Sequence, residues 1–483
     1  MASNAEFVVD TRPLWIVLLT RSRDLWLLLA GALAYWWVLT MDTPADLTVT
    51  GQRALAAFAL CVVYWVTGAL PLMITGLLAI ILIPLSGVMP ASKAYALFGN
   101  EAVFFILGAF ILAACLMKSG LSRRLALHML SRFGTTPRGL LIAILLLNAL
   151  MSFIMSEHAV AAMNFPIIVE IVAVLGLHPR RGTYAKALFL AMAWGTTIGG
   201  VATLLGGGRG PLALGILREA TGQSYGFVEW TIAILPLVFA LLFVCYFVIT
   251  YFHPIDIDSV RAADDALHAR IRKLGRMTYE ETAIAVVVAL TVLAWIVLGE
   301  EFGLANIALA AVVVLFALQL VTWREIESYV NWGVLLMYGG AICLGAAINQ
   351  SGAATWLAKV TVASWAATPE SVVFVLSGMS IVLTELMSNS AVVALVMPVS
   401  LGLAEQFHMN PGIMAFVIAV PAGLGYTLPI GTPANAIAYS SGHLSIRDMV
   451  APGILLAIVS WLLFNVMANL YWPLLGLSMA GGS

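Results

Sequence analysis

The sequence predicts an all-α polytopic membrane protein, and three observations carry that prediction. Of 483 residues, 62% are hydrophobic and only 10% are charged, with a mean hydropathy of +1.01, whereas a soluble domain is about a quarter charged. Apolar runs recur along the chain, each close to the roughly 20 helical residues that cross a hydrocarbon core of about 30 Å. Period-2 alternation, the pattern of a membrane β-barrel, is absent, so helices are the spanning element.

Taken in order, apolar runs between charged or Gly/Pro-rich breaks place about eleven crossings near residues 25–40, 54–68, 70–88, 101–118, 184–205, 228–251, 281–298, 302–321, 330–349, 410–428 and 449–475. Two further apolar stretches, 138–176 and 369–406, are interrupted by Ser156-Glu157-His158 and Ser388-Asn389-Ser390. They are expected to be re-entrant hairpins, because an irregular polar tip at membrane depth survives only where protein or a water-filled cavity covers it. Ordinary spans with a polar interruption are the alternative. The resulting organisation has N-terminal scaffold helices in 1–100, a first repeat in 101–251, a charged linker in 252–280, further scaffold helices in 281–329 and a second repeat in 330–475.

Met1 to Thr11 is polar and has no Lys or Arg before Arg12, so it does not read as a cleaved signal peptide. With a cytoplasmic N-terminus, all of the 23 Lys and Arg residues fall inside except Arg53, Lys93, Arg209, Arg218 and Lys359. Basic residues cluster at Lys118 to Arg138, Arg180 to Lys186 and in the linker, the bias that sets orientation. Short loops and the lack of a targeting segment point to a bacterial inner membrane. The net charge of −1 and the lack of a basic, aromatic-bearing stripe exclude nucleic acid as a partner; membrane lipid surrounds the chain instead. Cys61, Cys115, Cys245 and Cys343 all lie in apolar runs without a C-x-x-C pair and read as packing residues. Trp36, Trp37, Trp65, Tyr329 and Trp332 sit near span ends as interfacial anchors. His128, His253 and His268 fall in predicted cytoplasmic segments and read as solvated.

An internal repeat organises the rest. Asn100-x-x-Val103 and Gly108 recur as Asn331-x-x-Val334 and Gly339. With the offset one residue longer, Met155-Ser156-x-x-Ala159-Val160-x-Ala162 and Pro166 recur as Met387-Ser388-x-x-Ala391-Val392-x-Ala394 and Pro398. An odd number of crossings between the two copies inverts the second. Inverted repeats with broken helices characterise alternating-access carriers, and the breaks point to the site. Hydroxyls, amide oxygens and freed carbonyls there can replace the water around Na⁺, while amides opened at helix N-termini favour an anion.

At these residues the chain resembles the divalent-anion/sodium symporter family, the carriers of dicarboxylates, citrate and sulfate. The resemblance runs from about residue 54 to 475. It includes Thr67-Gly68-Ala69-Leu70-Pro71-Leu72, Lys118-Ser119-Gly120-Leu121-x-Arg123-Arg124, the hairpin motif Ser388-Asn389-Ser390 and the loop Gly431-Thr432-Pro433-Ala434-Asn435. It implies a homodimer whose protomers each have a scaffold and an elevator-type transport domain. It also implies a second-half Na⁺ site of Thr384, the Met387 backbone, Asn389 and the Gly431 backbone, with Na⁺ as coupling ion and no other cofactor. Substrate contacts there would come from Asn389, Ser390, Thr432 and Pro433.

The first half departs from that pattern. Its ion site should comprise Ser152, Ser156, an Asn and a Gly carbonyl, for which Gly206 is the counterpart; Glu157 replaces the Asn and His158 a Thr. Gly206-Gly207-Gly208-Arg209-Gly210 replaces the partner loop. Isolated charges at this depth cost several kcal/mol, so Arg209 is expected against Glu157 as a tethered cation where Na⁺ sits in relatives. Arg209 can alternatively bind the anion or form a plain salt bridge. Ser156, His158, Gly207, Gly208 and Arg209 complete the candidate substrate contacts, and Glu157 or His158 is a candidate proton carrier. Glu385, beside Thr384, is a further carboxylate near the second tip. The functional expectation is a secondary active transporter of small anions such as dicarboxylate or sulfate, with one Na⁺ site. A proton-coupled or exchange-type carrier and an anion channel are the alternatives. A membrane enzyme would need a nucleophile–base pair or clustered metal ligands, and adjacent Glu157 and His158 are poorly placed for either.

Overall fold

A computed structural model describes residues 14–179, 182–361 and 368–479. The segment Met1 to Thr11 and the arginines 180 and 181 of the second basic cluster lie outside the described residues. The first half begins with α1 (Leu14–Thr40), α2 (Val49–Thr67), α3 (Leu72–Leu85), α4 (Ala91–Ala96) and α5 (Glu101–Ser119). It continues through α6 (Leu121–Phe133), α7 (Pro137–Met151), α8 (Glu157–Val174), α9 (Tyr184–Gly199), α10 (Arg209–Thr221) and α11 (Phe227–Phe252). After α12 (Arg261–Leu274) come α13 (Tyr279–Phe302), α14 (Leu304–Ala317), α15 (Trp323–Ile326), α16 (Trp332–Gln350) and α17 (Ala353–Thr361). The chain closes with α18 (Pro369–Thr384), α19 (Asn389–Gln406), α20 (Ile413–Ala419), α21 (Pro433–Ser440) and α22 (Ile446–Leu470). Among the described residues, 7 helices are long and apolar enough to cross a membrane, and shorter apolar helices include α3, α7, α14 and α18.

Both interrupted stretches are pairs of helices with matching start chemistry. Thr136 and Thr368 accept from the N–H of Gly139 and Ser371, and Pro137 and Pro369 take the first helical position, where a missing N–H costs nothing. Each first helix stops before the polar tip, and α8 and α19 start within it. Asn100 and Asn331 likewise cap α5 and α16, accepting from Ala102 N and Val334 N.

Several expected spans are altered. The crossing expected at 184–205 is helical only to Gly199, and the backbone from Gly200 to Gly208 is irregular. Gly206 packs directly on the carbonyls of Gly200 and Ser152, a contact any Cβ would block. The crossing expected at 410–428 breaks at Pro421, where a 3-10 turn covers Pro421–Gly423. The crossing expected at 449–475 ends at Leu470, followed by a 3-10 turn. The basic segments 118–138 and 252–280 contain α6 and α12. Arg124 is buried there, donating to Glu281 at 3.1 Å and to the carbonyls of Leu274, Gly275 and Arg276.

Two expectations for single residues are corrected. His253 is buried, not solvated, with its ring Nε2 3.0 Å from the Asp448 carbonyl. Trp65 is buried and donates to Leu72 O, so it packs α2 on α3 instead of anchoring an interface. Tyr329 is exposed and also lines a cavity. All four cysteines are free and buried.

Packing between elements is mirrored between the halves. α3 packs on α16 as α14 packs on α5, and α10 packs on α19 as α21 packs on α8. Small residues permit these approaches: Gly340 lies against the backbone of Gly76, and Gly108 against Ala308.

Candidate functional site

Glu157, Arg209, Asn389 and Pro433 are the first residues of α8, α10, α19 and α21. All four line one cavity of about 850 Å³. The helix N-termini therefore converge from both halves, each contributing roughly half a positive charge. That convergence follows from where the helices break: Ser152 to Ser156, Gly200 to Gly208, Glu385 to Ser388, and the segment before Pro433.

At the first tip, Glu157 and Arg209 are each only 3% exposed. Arg209 Nη1 donates to Glu157 Oε1 at 3.3 Å. Glu157 N–H donates to the Gly206 carbonyl at 3.0 Å. Gly207 and Gly423 leave room for the guanidinium, since a Cβ at either would collide with it. Ser152 is buried and its Oγ has no partner, as is true of Glu157 Oε2 and Arg209 Nη2. Ser156, His158, Gly207, Gly208 and Arg209 all line the cavity; His158 is exposed towards it.

At the second tip, Thr384 Oγ1 lies 2.8 Å from Asn389 Oδ1 and 2.7 Å from the Ala422 carbonyl oxygen. These neutral oxygens suit a hard monovalent cation such as Na⁺. Asn389 Nδ2 donates across the cavity to Glu157 Oε1 at 3.1 Å, so one carboxylate oxygen ties the two tips together. Met387, Ser390, Gly431 and Pro433 line the cavity; Thr432 is not among its lining residues. Thr432 Oγ1 instead accepts from Asn435 N at 3.2 Å as the cap of α21.

Glu385 is a structural acceptor. Its carboxylate takes the N–H groups of Tyr426, Thr427 and Leu428 at 2.7, 2.9 and 3.0 Å, which fixes the loop leading to Gly431. Sequence reasoning located this residue without its role. It missed Ala422, Tyr338 (packed against Gly208) and the apolar wall of Met73, Phe110 and Met337. Nothing in a local motif marks residues that reach the site only through helix packing.

Two broken helix pairs, meeting at a polar-tipped cavity inside an all-helical membrane-spanning bundle, define a secondary active transporter. The sequence profile of the family described as "Sodium:sulfate symporter transmembrane region" matches residues 22–478. The chain belongs to that family of transporters. It is 29% identical over 481 aligned positions to the sodium-dependent dicarboxylate transporter SdcS of Staphylococcus saprophyticus, covering 94% of this chain and 92% of that protein. To SdcS of Staphylococcus aureus it is 27% identical over 477 positions, covering 92% and 91%. In fold it is similar to the YdaH transporter of Alcanivorax borkumensis, with a TM-score of 0.56 and 18% identity over 79% of this chain and 88% of that one. It is similar also to MtrF of Neisseria gonorrhoeae, with a TM-score of 0.56 and 14% identity over 99% and 98%.

Proposed function

We propose that this chain carries small anions across a bacterial plasma membrane by alternating access, coupled to one Na⁺ bound in the second half. The observation that carries this reading is the unlike chemistry of the two tips. Thr384, Asn389 and Ala422 gather neutral oxygens, whereas the first tip holds the buried contact between Arg209 and Glu157. A fixed guanidinium there takes the place of a mobile cation, so the first position no longer couples transport to Na⁺. The two relatives named as sodium-dependent dicarboxylate transporters support Na⁺ coupling and a carboxylate cargo.

The mirrored packing and capping support inverted repeats, with the hairpins α7–α8 and α18–α19 in a moving unit against a scaffold that includes α3, α5, α14 and α16. An elevator-type motion in a homodimer with cytoplasmic N-termini completes the proposal. His158, exposed in the cavity beside the ion pair, supports a second reading in which protons or anion exchange drive transport. Proteoliposome uptake of succinate, citrate, sulfate and bicarbonate, with Na⁺ and pH gradients imposed separately, distinguishes the two. The expected result is uptake driven by the Na⁺ gradient with a Hill coefficient near one. Uptake indifferent to Na⁺ but driven by pH would favour the second reading.

A further inference from the structure

We infer that Glu157 is a resident carboxylate that fills one anion subsite of the cavity, and that the space beside it takes an anion with a single negative charge, a monocarboxylate or a singly protonated dicarboxylate. This rests on the reading of the cavity as the anion site.

Guanidinium and primary amide groups are the side chains best suited to hold a carboxylate. The cavity has one guanidinium, Arg209, and both Arg209 Nη1 and Asn389 Nδ2 already donate to Glu157 Oε1, at 3.3 and 3.1 Å. The other primary amide of the lining is Asn331, whose Oδ1 accepts from Val334 N, so an entering anion must be held by that amide together with Ser156, His158 and Ser390.

Charge leads to the same conclusion. Among the described lining residues the ionisable groups are Glu157, His158, Arg209 and the phenol of Tyr329. Glu157 and Arg209 cancel, so the lining carries no net charge as long as His158 is uncharged. Glu157 and Arg209 also occupy the starts of α8 and α10. The N-termini of α19 and α21 remain, at about half a unit each, enough to complement one carboxylate. Much of the remaining lining is apolar, including Phe110, Met163 and Met337, and a second uncompensated charge beside it is costly. One Na⁺ at Thr384 and Asn389 moving with one monoanion carries no net charge.

Threonate and tartrate, hydroxylated four-carbon anions differing by one carboxylate, test this by thermal-shift titration of the purified protein at about pH 7.5 in NaCl, where both are fully ionised. Threonate is expected to half-saturate at about tenfold lower concentration or less, the worth of one charged contact. Glu157→Gln keeps an acceptor for Arg209 and Asn389 but leaves a net positive charge, and is expected to shift the ratio about tenfold towards tartrate. If that variant does not fold, the wild type still decides the matter: Na⁺-driven threonate uptake should not respond to an imposed membrane potential. Tighter or equal binding of tartrate, or uptake that follows the potential, overturns the inference and leaves the transporter reading intact. Binding of neither anion, together with no Na⁺-dependent uptake of succinate or sulfate, defeats the underlying reading as well.

Discussion

Breaking the contact between Glu157 and Arg209 should be among the most damaging single changes in this protein. At 3.3 Å, two unit charges attract by about 5 kcal/mol at an effective dielectric constant of roughly 20. Both side chains are 3% exposed, so desolvation offsets much of that attraction. The larger consequence is what one truncation leaves behind, because an uncompensated buried charge costs about 3–5 kcal/mol. Glu157→Ala also deprives Asn389 Nδ2 of its acceptor, and Arg209→Ala strands the carboxylate. The double change Glu157→Asn with Arg209→Pro removes both charges. The introduced amide oxygen can still accept from Asn389, and proline fits the first position of α10 once Gly208 before it leaves its αR conformation. The assay is the unfolding temperature of detergent-purified protein, with Na⁺-dependent uptake measured alongside, for the wild type, the two single alanine variants and the double variant. Each single alanine variant should lose several degrees or fail to accumulate, while the double variant recovers part of the loss. Losses that simply add would show that the residues are not coupled, and Arg209 would then be reassigned to the substrate anion.

Thr384→Ala and Asn389→Ala should each raise the Na⁺ concentration for half-maximal thermal stabilisation by about tenfold, while Ser390→Thr leaves it near wild type; an unchanged Na⁺ response would place the ion elsewhere. Gly340→Ala drives a methyl group into the backbone of Gly76 and should destabilise by about 1–3 kcal/mol, read as a lower unfolding temperature; a neutral outcome would mean that α3 and α16 can separate freely. Single cysteines placed at 118–138 and 252–280 in a Cys-free background should label from the same, cytoplasmic side, and labelling from opposite sides would refute the inverted topology. Burial holds the pKa of His253 below its ordinary value, against the opposing pull of the Asp448 carbonyl. The unfolded chain therefore takes up the proton first, so stability should fall as pH drops below about 6.5. His253→Gln should reduce that fall, and an identical pH profile would exclude the histidine as its source.

The sequence by itself determined the solvent and the punctuation of this fold. Long apolar runs require helices, because lipid offers no partner for backbone polar groups. The paired motifs around Ser156 and Ser388 marked where those helices break. A contact between Glu157 and Arg209 was the simplest arrangement the sequence allowed, since two charges so deep in an apolar chain need each other, but the sequence left Arg209 free to bind the anion instead. Exact helix ends were less so: the unwinding after Gly199 depends on Gly206 lying against Gly200 and Ser152, a contact between distant segments. Only the tertiary structure decided that Asn389 spends its amide on Glu157, that Glu385 organises a loop through three backbone N–H groups, and that Thr432 caps a helix outside the cavity lining. Local sequence sets which residues can donate and accept. Which of them meet depends on how helices from the two halves pack, and hydropathy and short motifs carry no term for that.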